Sequence, residues 1–290
     1  MWAVKDWKDY QLLDAKCGAR LESWGKAVLD RPDPQAIWKS SVTNADWAIA
    51  DAKYHRSNKG GGHWETKKSL PEQWTIRFED LTFCVKPTGF KHTGLFPEQA
   101  VNWQWMREKI RNANRPIKVL NLFAYTGGAT MACAKEGASV CHVDASKGIL
   151  SWAKDNARAC GLESAPIRYL ADDARKFVER EIRRGNTYDA IIMDPPSYGR
   201  GTNGEVWTME EEIFGLLSTG VKVLSDRPLF FVLNGYTTGL APSVLKNLLA
   251  LTVGKAFPGK LTTDEIGLPI GNSGLFLPCG ATGRWEEEEA

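Results

Sequence analysis

The chain has 290 residues, of which 43% are hydrophobic and 25% charged, with 37 Lys and Arg against 35 Asp and Glu. This balance excludes an acidic disordered chain and a strongly basic tail, and leaves nucleic-acid binding open. No apolar run approaches the roughly 18 residues of a membrane span. The opening Met1-Trp2-Ala3-Val4-Lys5-Asp6 carries charges where a signal peptide needs its apolar core, so a cytoplasmic protein is expected. The six cysteines (17, 84, 133, 141, 160 and 279) are scattered, without a Cys-x-x-Cys pair. Reduced thiols fit them better than a disulfide framework or a zinc site, and no metal is expected.

Residues 1–116 hold 19 Lys and Arg against 14 Asp and Glu and carry nine of the twelve Trp. Their apolar residues alternate with period two in short runs, such as Trp74-Thr-Ile-Arg-Phe-Glu and Leu81-Thr-Phe-Cys-Val. Turn clusters (Asp30-Arg-Pro-Asp-Pro and Asn58-Lys-Gly-Gly-Gly) separate these runs. The pattern predicts a small, mainly β domain over residues 1–90. A connecting segment follows over 91–116, with a helix from about Glu98 to Asn112. Most of the Trp side chains are expected in the β core.

From Pro116 the period changes. Buried-strand runs at Lys118-Val-Leu-Asn-Leu-Phe, Ser139–Asp144, Ile167-Arg-Tyr-Leu, Tyr188–Asp194 and Leu229–Asn234 alternate with helical stretches at Ala129–Glu136, Ser146–Cys160 and Ala174–Arg184. Strands and helices alternating at this spacing predict βαβ units on a parallel sheet over 117–290. Lys260–Ile270 and Gly274–Trp285 are joined by too short a turn for a parallel crossover, so they must pair antiparallel. The predicted fold is therefore α/β: a Rossmann-like sheet, parallel but for a terminal antiparallel hairpin, with a small β domain before it. The terminal run Glu286–Glu289 reads as a solvated tail.

In an open α/β sheet, ligands sit beyond the carboxyl ends of the strands. Four polar signals fall there in order. Asn121-Leu-Phe-Ala-Tyr-Thr-Gly-Gly follows the first core strand, with glycines that let the backbone turn closely beneath a ligand. Asp144, before Ala145 and Ser146, follows the second, where a carboxylate can accept both hydroxyls of a ribose or simply begin a helix. Asp172-Asp173-Ala174 follows the third, in reach of an adenine amine, and Asp194-Pro195-Pro196-Ser197-Tyr198 the fourth. A dinucleotide site would need Gly-x-Gly-x-x-Gly in the first loop and a Walker loop would need Gly-Lys-Ser/Thr; neither is present.

Asn-Leu-Phe-Ala-Tyr-Thr-Gly-Gly, His-Val-Asp-Ala-Ser and Met-Asp-Pro-Pro-Ser-Tyr resemble the class I S-adenosylmethionine-dependent methyltransferases. They resemble most the branch of bacterial large-subunit ribosomal RNA enzymes that make 5-methylcytosine or 7-methylguanine. The likeness covers roughly residues 86–285. Lys91-His-Thr-Gly-Leu-Phe-Pro-Glu-Gln99 is similar to that branch's Lys-Thr-Gly-Phe-Phe-x-Asp-Gln-Arg element, which crosses between the domains beside the cofactor, with Ala100 in place of the Arg. The resemblance implies S-adenosylmethionine as cofactor and a seven-stranded sheet. Asn121, Phe123, Ala124, Tyr125, Thr126 and Gly127 would line its methionine part, Asp144 with Ala145 and Ser146 would hold the ribose, and Asp173 with Ala174 the adenine. Asp194, Pro195, Pro196 and Tyr198 would form the wall between methyl group and acceptor, and Lys91, Gln99, Arg200 and Asn234 would meet the acceptor.

The 5-methylcytosine enzymes need a thiolate to activate the pyrimidine ring. That branch carries its Cys just after the fifth core strand, where this chain has Asn234. A base nitrogen, with Asp194 steering its lone pair and Tyr198 stacking on the base, is the expected acceptor. Ribosomal RNA is the expected partner, with a small metabolite or protein acceptor as one alternative and a non-catalytic RNA-binding scaffold as another. Arg200–Trp207 is either a phosphate-contacting loop or a plain connection to the next helix, and Lys59 with Gly60–His63, Lys67 and Lys68 is a candidate basic loop.

Overall fold

The computed structural model describes residues 1–57, 61–200, 206–237 and 239–288. The chain forms two compact units: Met1–Val101 with Gly267–Cys279, and Asn102–Ile266 with Gly280–Ala290. The first contains five strands, β1 (Tyr10–Lys16), β2 (Ala19–Trp24), β3 (Ala27–Pro32), β4 (Ala52–Arg56) and β5 (Gly62–Thr66), paired in chain order. All neighbours are antiparallel except β3 and β4, whose connection is long enough to reverse the chain twice. A separate hairpin joins β6 (Trp74–Phe78) to β7 (Leu81–Val85).

Alternating side chains of these strands bury Leu12, Leu21, Trp24, Leu29, Ile76, Phe78 and Phe83, each side chain contributing about 1.5–3 kcal/mol through lost apolar exposure. Glu22 is fully buried in the same unit: Arg31 donates to it from Nε at 2.6 Å and Nη2 at 2.8 Å, and Tyr10 from its hydroxyl at 2.7 Å. Burial opposes its ionisation, but Arg20 and Arg31 outweigh that and hold the carboxyl at about 2. The tip of the last hairpin also belongs to this unit, with Gly271 N donating to Leu12 O at 2.8 Å. Sequence periodicity assigned that tip to the second half, because period two says nothing about which sheet a strand end joins.

The second unit opens within α1 (Ala100–Asn112), a helix preceded by a 3-10 turn at Pro97–Gln99. The predicted start at Glu98 falls in that turn, whose Pro97 fits a first helical position. Next come β8 (Lys118–Leu122), α2 (Gly128–Lys135), β9 (Ser139–Asp144), α3 (Lys147–Ala159), β10 (Ile167–Ala171), α4 (Ala174–Arg184) and β11 (Ala190–Met193). A short hairpin, β12 (Tyr198–Arg200) with β13 (Val206–Thr208), precedes α5 (Met209–Gly220), β14 (Phe230–Gly235), α6 (Pro242–Leu251), α7 (Val253–Ala256), β15 (Gly259–Pro269) and β16 (Phe276–Glu287). The seven-stranded sheet runs β10-β9-β8-β11-β14-β16-β15, parallel from β10 to β14, with β16 antiparallel to β14. The predicted fold class is the one observed.

One face of the sheet buries Leu120, Leu122, Val143, Ile191, Met193 and Leu233 against Phe177, Ile213, Leu217 and Leu245 from α4, α5 and α6. On α1 and α2 a smaller feature fixes the packing: a Cβ on Gly128 would lie 2.6 Å from Cζ2 of Trp103, itself only 3% exposed. The second glycine of the Gly-Gly pair therefore serves helix packing, and only Gly127, at φ 87°, serves the turn. Gly128→Ala should cost about 1–3 kcal/mol, the usual penalty of overpacking, read as a lower urea midpoint at unchanged slope. Among the described residues no helix is long and apolar enough to cross a membrane, and no cluster of three His, Cys, Asp or Glu residues is placed to hold a metal ion. All six cysteines are free thiols.

Candidate active site

The parallel strands end level with one another: Leu122 is opposite Val143 and Met193, Asp144 opposite Ala171, and Met193 opposite Leu233. The polar segments that follow them therefore emerge at one edge of the sheet. The loop after β8 is unusual in its backbone. Phe123 (φ 56°), Tyr125 (φ 50°) and Gly127 (φ 87°) all adopt left-handed conformations, which cost a bulky residue roughly 1–2 kcal/mol. Such strain persists only where surrounding bonds fix it, and it clusters at ligand sites.

The surrounding bonds are present. Ala124 N donates to Val143 O at 3.1 Å, Tyr125 N to Oδ2 of Asp144 at 3.0 Å, and Asn156 Nδ2 to Thr126 O at 2.8 Å. Beneath the loop, Asn121 Nδ2 donates to Thr130 Oγ1 at 3.0 Å, and Thr130 lies 2.9 Å from His142 Nδ1. Burial lowers His142 to about 4, so a neutral imidazole supports the loop. Asn121 and Thr126, expected as lining residues, are 1% and 0% exposed and belong to this buried support. Phe123 and Tyr125 remain half-buried at the edge.

His142 makes the fold acid-labile. Its folded value lies below the ordinary value near 6.5, so the unfolded chain takes up the proton first and stability falls as pH drops from 6.5 towards 4. The loss should reach on the order of 3 kcal/mol. Urea unfolding at pH 7 and pH 4.5 measures it, and His142→Asn should flatten the dependence.

Asp144 stands at the tip of β9, half-buried, with Oδ1 accepting from Ser146 N at 2.9 Å and Oδ2 from Tyr125 N. Burial raises its pKa, and the two backbone N–H groups oppose that rise without cancelling it. Each oxygen keeps lone-pair capacity for a further donor. Asp144 is not the cap of α3: Ser146 is, accepting from Ile149 N. Ala145 and Ser146 are exposed beside it. After β10 the roles divide otherwise. Asp172 pairs with Arg180, and Asp173 caps α4 by accepting from Lys176 N at 2.9 Å, with Ala174 buried behind it. The capping role accounts for Asp173 without a ligand, although its second oxygen is left over.

Beyond β11 the Asp-Pro-Pro turn holds Asp194 half-buried, Pro195 buried, Pro196 exposed and Tyr198 54% exposed. Trp207 Nε1 donates to Pro196 O at 2.7 Å, and its ring sits 5.3 Å from that of Phe123. Trp207 thus ties the turn to the loop after β8. The sequence offered a tryptophan after a Gly-rich stretch, but not the β12–β13 pairing that brings it back. Residues 201–205 and the side chain of Arg200 lie outside the described residues, as do 58–60 of the candidate basic loop and Glu289 of the tail.

Asn234 departs from its expected place at the acceptor. It is 2% exposed, with Oδ1 accepting from Thr282 Oγ1 at 2.7 Å and from Asn102 Nδ2 at 3.2 Å, while Asn102 Oδ1 accepts from Arg284 at 2.9 and 2.7 Å. The amide is spent on a buried network that joins α1, β14 and β16. Lys91 and Gln99 belong to the first unit. The Lys91 carbonyl accepts from Arg31 and the residue is half-buried, while Gln99 is 6% exposed.

A sequence model of the S-adenosylmethionine-dependent methyltransferases matches residues 34–212. The chain belongs to that family. A crystal structure of the S-adenosylmethionine-dependent methyltransferase from Agrobacterium tumefaciens is 38% identical, with a TM-score of 0.93 over 99% of this chain and 93% of that one. The ribosomal RNA large subunit methyltransferase K/L of Shewanella frigidimarina is 32% identical over 66% of this chain and 28% of its own length. The ribosomal RNA large subunit methyltransferase K of Neisseria meningitidis is 26% identical over 73% of this chain and 61% of its own length. The chain thus spans about a quarter of the first relative's length and about three fifths of the second's. Its cofactor is S-adenosylmethionine.

Proposed function

We propose that this methyltransferase transfers a methyl group to a base nitrogen of ribosomal RNA in the cytoplasm, with the cofactor held at the tips of β8, β9 and β10. The observation that carries the reading is Asp144: a part-buried carboxylate with lone pairs to spare, next to a loop whose left-handed residues bring backbone close to whatever lies above it. That combination fits the cofactor, whose ribose offers two hydroxyl donors to one carboxylate. When bound, S-adenosylmethionine supplies an electrophilic methyl group on a cationic sulfur.

The remaining roles fall to this chain's own side chains. Phe123, Ala124, Tyr125 and Gly127 flank the methionine part, with Asn121, Thr126, Thr130 and His142 as positioning residues beneath. Asp173, through the oxygen not used in capping, and the Ala174 surface bound the adenine. At the acceptor, the carbonyls of Pro196 and Ser197 are taken by Trp207 and Met209 N, so the orienting of the attacking nitrogen falls to Asp194 together with a carbonyl earlier in the turn, and Asp194 takes the nitrogen's proton. Exposed Tyr198 offers a face on which an unstacked base can lie. Alignment of this kind supplies on the order of 7–11 kcal/mol of a displacement barrier.

A carbon acceptor is disfavoured because it needs a thiolate. Burial pushes the Cys133 and Cys279 thiols well up and Cys141 to about 11, so none of these three is poised to ionise, and no cysteine directly follows β11 or β14. Support for RNA comes from the large-subunit names of the relatives. The test is tritium transfer from labelled cofactor into bulk RNA, followed by nucleoside analysis. Label in an N-methylated purine or pyrimidine is expected; label in 5-methylcytosine, or in the protein or small-molecule fraction alone, contradicts the reading.

A further inference from the structure

The first unit contains a cleft of about 700 Å³ lined by Lys8, Lys26 and Lys68 and by the ring of Trp74. Its two acids both accept from backbone N–H groups. Asp9 Oδ2 accepts from Arg77 N at 2.8 Å, and Asp51 Oδ2 accepts from Val28 N at 2.7 Å while its Oδ1 pairs with Lys68 at 3.0 Å. Lys8 and Lys26 are exposed. Lys26 stands next to Gly25, whose positive φ of 63° makes the tight β2–β3 turn that projects it. Trp74 donates Nε1 to Trp24 O at 2.9 Å, so its polar edge is anchored and its half-buried ring is held in a fixed place on the cleft wall. The indole nitrogens of Trp7, Trp38 and Trp64 are likewise tied to backbone carbonyls, but only Trp74 stands among the three lysines.

Two exposed lysines, a third paired with Asp51 and a fixed aromatic ring in one cleft match one ligand chemistry: a phosphodiester backbone with an unstacked base beside it. A duplex would present phosphates but no base face to the ring. We infer that the Lys8–Lys26–Lys68 cleft binds the backbone of a single-stranded segment of the RNA acceptor, with one base against Trp74. The inference rests on the proposed RNA acceptor and names the surface that holds it, in the small β unit, whereas the Asp-Pro-Pro turn belongs to the second unit.

The experiment uses the full chain and a ribosomal RNA transcript, with binding followed by filter retention from 50 to 300 mM KCl. Each lysine–phosphate contact in a single strand contributes about 0.7 to the slope of log K against log salt. Lys8→Glu/Lys26→Glu is therefore expected to flatten the slope by about 1.4 and to weaken binding at least ten-fold at low salt. Cofactor titration should be unaltered, which shows that the variant is folded. A matched Lys246→Glu/Lys255→Glu variant in the second unit should keep the wild-type slope. Trp74→Leu should weaken binding with its slope unchanged, as lost stacking requires. Wild-type binding with an unaltered slope in the Lys8/Lys26 variant would overturn the inference and leave the RNA acceptor standing. Absence of RNA binding and of label in RNA with wild-type protein would overturn both.

Discussion

Asp194→Asn should lower methyl transfer by about 10²–10⁴-fold, the range a positioned general base contributes, with cofactor binding changed by no more than a few-fold. The substitution keeps the shape of the side chain and the backbone bond from Asp194 N to Leu122 O at 3.4 Å, so the strand tip is preserved. What disappears is the anionic oxygen that accepts the acceptor's proton. Single-turnover transfer into RNA, together with calorimetric titration of S-adenosylmethionine, separates the two effects. Transfer at the wild-type rate would remove Asp194 from the chemistry.

Asp144→Ala should have the opposite signature: cofactor affinity falls by about 10²-fold or more, since two hydrogen bonds to a charged acceptor at about 1.5–3 kcal/mol each are lost. The acid dependence carries the same sign. Burial raises the pKa of Asp144, and hydroxyl donors stabilise its ionised form, so affinity should weaken as pH falls through the raised pKa of the free carboxyl. Asp144→Asn should bind weakly and lose that pH dependence. Titrations of wild type and variant at several pH values provide the check. Near-wild-type affinity in Asp144→Ala would place the ribose elsewhere.

The parallel sheet was legible because its buried runs and helical stretches obey different periods, and the terminal hairpin because a short turn admits only antiparallel pairing. Asp144 and the Asp-Pro-Pro turn were legible as polar residues directly after such runs. Three features were not. Phe123 and Tyr125 give no sign in their residue types that they adopt positive φ; the bonds from Val143 and Asp144 impose it. Asn234 looks like an acceptor-facing residue until Asn102 and Thr282, 132 and 48 residues away, are brought to it. Asp173 shows that one pattern, an acid after a strand, serves as a cap at one tip while at the next strand tip Ser146 takes the capping role and leaves Asp144 open. Local sequence cannot tell these apart, because the difference lies in which neighbour supplies the N–H. His142 did leave a trace, as a lone polar residue within the buried run Val140–Val143, but its partner Thr130 lies on another element.

The most direct test of the account is a crystal structure of the full chain with S-adenosylhomocysteine. Both ribose hydroxyls should lie within hydrogen-bond distance of the two oxygens of Asp144, with the homocysteine part over the Phe123–Gly127 loop and its sulfur facing Asp194. A nucleoside seated away from β9, or an Asp144 carboxylate with no contact to the ligand, would contradict it.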